Sequence, residues 1–177
     1  MNKCCGVVVC LLLVCAWNGF AAEQPIAACS LLTAAEVSNA VGAPAGTPQE
    51  RDTAIPTGPS KGETMHTCTW RIEERDMVVL NVIRAPQGTQ REAGFALLNQ
   101  IFDTLKAQGW TEERKDFSNG RCSIMAPPPS AQDMPLSTGC FAEAKGMSVG
   151  VGWMSGQKTI AIEKVKALLD KAIGRLP

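Results

Sequence analysis

A single histidine, His66, is the first scarcity that decides something. It excludes a metal site built on two imidazoles of one chain, and it leaves one candidate base for a serine or cysteine hydrolase. No Cys-x-x-Cys pair occurs, which removes zinc ribbons and redox motifs of that spacing. The Gly-x-Ser-x-Gly elbow of many hydrolases is also missing. Charge excess is absent too: 17 basic residues balance 17 acidic ones, so nothing suggests the basic face that nucleic-acid binding requires. Residues 7–17 are apolar, but a run of 11 falls short of the roughly 20 residues that span a bilayer.

That short run has another use. Lys3 precedes it and the small residues Gly19, Ala21 and Ala22 follow, which is the layout of a secretory signal peptide cut after Ala21. The competing reading is lipid attachment at Cys15, although bacterial lipoprotein signals carry a small residue where Val14 stands. Removal of residues 1–21 leaves a 156-residue chain, a normal size for one domain with its own core. Four of the eight cysteines leave with the leader, and Cys29, Cys68, Cys122 and Cys140 remain. An even count in an exported chain reads as two disulfides, for which three connectivities exist. We favour Cys29 with Cys68 and Cys122 with Cys140.

The mature chain organises itself around Thr67-Cys68-Thr69-Trp70-Arg71-Ile72 and Val78-Val79-Leu80-Asn81-Val82-Ile83, which read as a β-hairpin. Alternation puts His66, Cys68, Trp70 and Ile72 on a buried face and Thr67, Thr69, Arg71 and Glu73 on the other. Its tip, Glu73-Glu74-Arg75-Asp76, reads as charged and solvated. Upstream, Thr33 and Glu36 form a capping box with Leu32 and Val37 as a staple, and Gly42 ends a short helix. Residues 43–65 hold four prolines and no periodicity, so they are expected to be a long loop. A second capping box at Thr89 and Glu92 opens a helix whose stripe includes Phe95, Leu98, Phe102 and Leu105 and whose stop is Gly109. Residues 110–119 are charged and fit either an edge strand or a loop. Arg121 to Met125, Thr138 to Glu143 and Met147 to Met154 read as strands, with a proline-rich loop at 126–136. In the last strand Ser148, Gly150 and Gly152 leave one face flat enough for close packing of a helix. The final helix uses Ile162, Val165, Leu169 and Ile173. The expected fold is α+β: a mainly antiparallel sheet of about five strands with three helices, in the order α-β-β-α-β-β-β-α.

Cys29-Ser30-Leu31-Leu32-Thr33 with Glu36-Val37 and Val41-Gly42, then a proline-rich gap and Cys68-Thr69-Trp70, resembles the opening of small secreted actinobacterial-type lipoproteins, a domain of unknown function. The resemblance implies the Cys29 to Cys68 bond and a PsbP-like α+β fold. It brings no catalytic residue with it.

Candidate chemistry is thin. Met65 and His66, with Cys68 and Met125, Met134, Met147 or Met154, offer the soft ligands that suit Cu(I). The plainer reading makes them a strand-entry histidine, a disulfide cysteine and core methionines. Glu73, Glu74 and Asp76, and Glu112, Glu113 and Asp116, supply paired carboxylates at places that usually hold solvated charge. What stands out is two proline-rich loops, each enclosed by an expected disulfide, with Pro48, Arg51, Asp52, Pro56, Pro128 and Asp133 as contact residues. The sequence therefore reads as an exported, non-enzymatic binding module of the periplasm or the secreted space, with no cofactor. Its partner would be an unidentified envelope protein, in an accessory, inhibitor or immunity-type role. The alternative is a small-molecule or copper carrier using His66 and nearby methionines, and a hydrolase stands third.

Overall fold

The computed structural model describes residues 26–86, 99–131 and 133–177. Among them, seven strands build one antiparallel sheet: β1 Gln49–Ala54, β2 Thr64–Arg71, β3 Met77–Arg84, β4 Thr111–Phe117, β5 Gly120–Ala126, β6 Leu136–Ala144 and β7 Met147–Ser155. Their spatial order is β1-β2-β3-β7-β6-β5-β4. The α+β class holds, but the expected count of about five strands is too low. The two additions are the sheet's edges. β1, Gln-Glu-Arg-Asp-Thr-Ala, lies inside the expected loop 43–65 and is almost wholly exposed. β4, Thr-Glu-Glu-Arg-Lys-Asp-Phe, takes the opposite edge. Edge strands with charge on both sides carry no apolar alternation, and that charge discourages pairing with other chains. Hydrogen bonding to a neighbour makes them strands, and local pattern does not report it.

One sheet face holds the core. The register aligns Cys68, Leu80, Val151, Cys140 and Cys122 across five strands, and all five are buried. Trp70 and Trp153 share this face and are fully buried, as the alternation of β2 and β7 requires. A 3-10 turn, Ala28–Ser30, covers the β1–β3 side of it, α3, Ile162–Gly174, covers β5 to β7, and helix α1, Ala34–Val41, packs beside α3. Ile162, Val165, Leu168, Leu169 and Ala172 of α3 are buried. Both favoured disulfides form: Cys29 to Cys68 ties the N-terminal turn to β2, and Cys122 to Cys140 links facing residues of β5 and β6.

α1 starts and stops as its sequence dictates. Thr33 Oγ1 accepts from the Glu36 N–H at 3.2 Å, Glu36 Oε2 accepts from the Thr33 N–H at 2.9 Å, and Gly42 closes the helix at φ 77°. Glu36 also accepts two hydrogen bonds from Arg175, at 2.7 and 2.8 Å, and one ion pair from Lys171 at 3.2 Å. The cap of α1 is thus clasped by the end of α3. The Arg175 guanidinium first, and then the Thr33 amide, hold the Glu36 carboxyl well below the usual carboxylate range. A depressed carboxylate stabilises the fold above its unfolded pKa, near 4.5, and that contribution fades as pH falls below it. Solvent screening at this surface limits it to about 1 kcal/mol. Glu36→Gln is therefore expected to lower urea stability by about that amount at pH 7 and to flatten the loss between pH 4.5 and lower values. An acid titration identical to wild type would contradict this.

At the hairpin tip Glu73, Glu74 and Arg75 are exposed as expected, and Asp76 alone departs. Asp76 is 6% exposed, and its Oδ1 accepts from the Gly156 N–H at 3.3 Å, so it braces the loop between β7 and α3 and is not solvated.

Candidate functional site

Among the described residues, the second sheet face is covered over only part of its width. Helix α2, of which 99–107 is described, packs above β5 through Arg121. That side chain is 8% exposed; its guanidinium sits 5.9 Å from the Phe102 ring and 5.5 Å from the Phe141 ring and donates to Asn99 Oδ1 at 3.2 Å. Farther along, Lys106 Nζ lies 2.6 Å from Glu112 Oε2, and the Glu112 side chain is only 2% exposed. Glu112 was expected to be solvated; it serves instead, with Arg121, to anchor α2 on the sheet. Gly109, at φ 87°, ends α2 as expected. The capping box at Thr89 and the stripe residues Phe95 and Leu98 lie outside the described residues.

Toward β1, the same face opens into a groove of about 560 Å³. Gln49, Arg51 and Thr53 reach it from β1, Met65, Thr67, Thr69 and Arg71 from β2, and Met77 and Asn81 from β3. This is the outward set that strand alternation demands, since the inward set of β2 and β3 forms the core. Thr67 Oγ1 donates to Asn81 Oδ1 at 2.9 Å across the floor. Among the described residues, no ion pair or side-chain hydrogen bond engages Arg51 or Arg71. Hydroxyl, amide and guanidinium groups give this surface, which Met65 and Met77 also line, unspent hydrogen-bonding capacity.

The residues expected to form a site are scattered. Met65 and His66, neighbours on a strand, point to opposite faces: Met65 lines the groove, while His66 Nδ1 sits 2.9 Å from Asp52 Oδ1 on the other side. Their spacing does not let them share an ion, and Cys68 is bonded to Cys29. Among the described residues, no three His, Cys, Asp or Glu side chains gather to hold a metal. Arg51 and Asp52 belong to β1, not to a loop, and Pro48 precedes that strand. Pro56 lies in the β1–β2 connection, which closes on itself through Ile55 N–H to Glu63 O and Gly62 N–H to Ile55 O. Pro128 packs against the end of α2, where a β-carbon added to Gly109 would meet its ring at 3.2 Å. Asp133 is exposed in the turn before β6. The strand register puts the Pro56 connection and the Pro128 loop at opposite ends of the sheet, so they form no common surface. The residues that sequence reasoning missed as a site are Thr67, Thr69, Arg71 and Asn81. Alternation had already assigned the first three to the outer face; their grouping with β1 needed the sheet.

No protein-family profile matches the chain, and no curated protein matches it. Among solved structures, it is similar to the extracellular domain of PknH from Mycobacterium tuberculosis, with a TM-score of 0.56, 13% identity, and coverage of 86% of this chain and 97% of that one. At that identity the likeness concerns the fold. Among the described residues, no helix is long and apolar enough to cross a membrane.

Proposed function

We propose that this chain is an exported binding module that takes its ligand on the open face of its sheet. The groove over β1, β2 and β3 carries the reading: a concave surface whose arginine donors are unpaired among the described residues, on a sheet made rigid from behind by the core and by the Cys29 to Cys68 bond. Export is supported by the leader-like start, by two disulfides of the kind that persist in oxidising compartments, and by a fold shared with an extracellular domain.

Hydrogen exchange of the oxidised protein, in buffer and in concentrated envelope extract of its own host, tests this. Protection is expected at residues 65–71 and 77–82, and Thr69→Trp, which fills the groove, is expected to abolish it without lowering the melting temperature by more than a few degrees. Protection confined to residues 55–63 and 127–135 would instead identify the two proline-rich loops as the contact surface and end the groove reading.

A further inference from the structure

Charge along β1 is sorted by the strand itself. Glu50, Arg51 and Asp52 follow one another, so alternation sends the two carboxylates one way and the guanidinium the other. Glu50 borders the groove, but its Oε1 turns to the Cys29 N–H at 3.4 Å, and Asp52 turns to His66 at 2.9 Å. Arg51 and Arg71 face the groove with no carboxylate bonded to either among the described residues. The chain is neutral as a whole, yet this surface carries two arginines that no carboxylate bonds among the described residues, set among threonine hydroxyls and the amides of Gln49 and Asn81, with the Glu50 carboxylate at its border.

We propose that the groove's ligand is an oxyanion, a carboxylate or phosphate group on a hydroxylated small molecule; this rests on the open face being the binding surface. Guanidinium pairs with such groups through two parallel N–H···O bonds, and the pairing strengthens where other groups shield it from water. Arg51 stands beside Thr67, four residues before Arg71 on β2, so the two arginine backbones are separated by roughly 13 Å along the strand. Thr69 and its β1 neighbour Gln49 stand between them on the same face. The hydroxyls of Thr67 and Thr69 and the amide of Asn81 then meet the ligand's own hydroxyls, as both donors and acceptors.

The test is an amide chemical-shift titration of the disulfide-bonded protein with citrate and with pyrophosphate, each at constant ionic strength. The expected result is saturable shifts confined to residues 49–53, 65–71 and 77–81. Arg51→Gln and Arg71→Gln should each weaken binding about tenfold, the loss of one charge-assisted contact. Arg114→Gln, on the far edge strand, should change nothing. Citrate alone binding would assign a carboxylate ligand, pyrophosphate alone a phosphate, and both a general oxyanion site. Shifts spread over all basic residues, no shifts, or binding unchanged in both arginine variants would overturn the inference. Groove protection persisting in envelope extract would then show that only the ligand's charge had been misjudged, whereas its loss as well would end the underlying reading.

Discussion

Strong reductant is expected to unfold or greatly loosen this protein at room temperature. The two bonds close loops of 40 and 19 residues, from sequence separations of 39 and 18. On the chain-entropy account they contribute roughly 3.9 and 3.2 kcal/mol, and the sum is comparable with the whole stability of a typical domain, about 5–15 kcal/mol. The two losses differ in kind. Cys122 and Cys140 face each other on strands that already hydrogen-bond along their length, so part of the constraint survives reduction. Cys29 lies in the N-terminal turn, away from the sheet's ladder, and its bond to Cys68 keeps that turn and α1 on the core. The double variant Cys29→Ser with Cys68→Ser should accordingly lose more than the Cys122→Ser, Cys140→Ser pair. Thermal melts followed by far-ultraviolet circular dichroism, with and without reductant, decide the matter; an unmoved transition would mean that burial alone sustains the fold.

Trp153→Ala is expected to cost about 3–5 kcal/mol, the range for deleting a large core aromatic. Trp153 is fully buried on β7, where it pairs with Val78 of β3 on one side and Thr138 of β6 on the other. Its indole N–H donates to the Lys158 carbonyl at 3.0 Å, which fixes the path of the chain from the sheet into α3. Substitution leaves a void between two central strands and also frees that loop. Trp70 is equally buried, but its Nε1 has no hydrogen-bond partner among the described residues, so at that site only packing is at stake. Urea denaturation of Trp153→Ala and Trp153→Phe separates the two parts: the phenylalanine variant keeps most of the packing and loses the hydrogen bond. A loss below about 1 kcal/mol for alanine would be too small for a core site and would show that the sheet repacks around it.

The elements most legible in the sequence were those whose signals are local. The capping box at Thr33 and Glu36, the left-handed Gly42 and the alternation of β2 and β7 each depend on residues within a few positions of one another, and each appears in the structure as read. The cysteine pairs were legible because four cysteines allow few arrangements. Of the edge strands, β4 was legible only as one of two readings of residues 110–119, and β1 was not legible at all. Gln49 to Ala54 holds no apolar residue but Ala54, and a strand whose faces both meet solvent leaves no trace in hydropathy. Asp76, Glu112 and Arg121 were hidden for a related reason: a charged side chain reads as solvated unless its partner is known, and Gly156, Lys106 and the Phe102 and Phe141 rings come from distant parts of the chain.

The sequence by itself determined the α+β class, the buried face of the central hairpin and the four cysteines of the two disulfides, because periodicity and counting act along the chain. Only the tertiary structure decided which face stays open. Arg51 and Arg71 are 20 positions apart, and nothing local relates them until β1 pairs with β2. That pairing follows from long-range hydrogen bonding at an edge, and from it come the groove, its sorted charge and the ligand chemistry assigned to it.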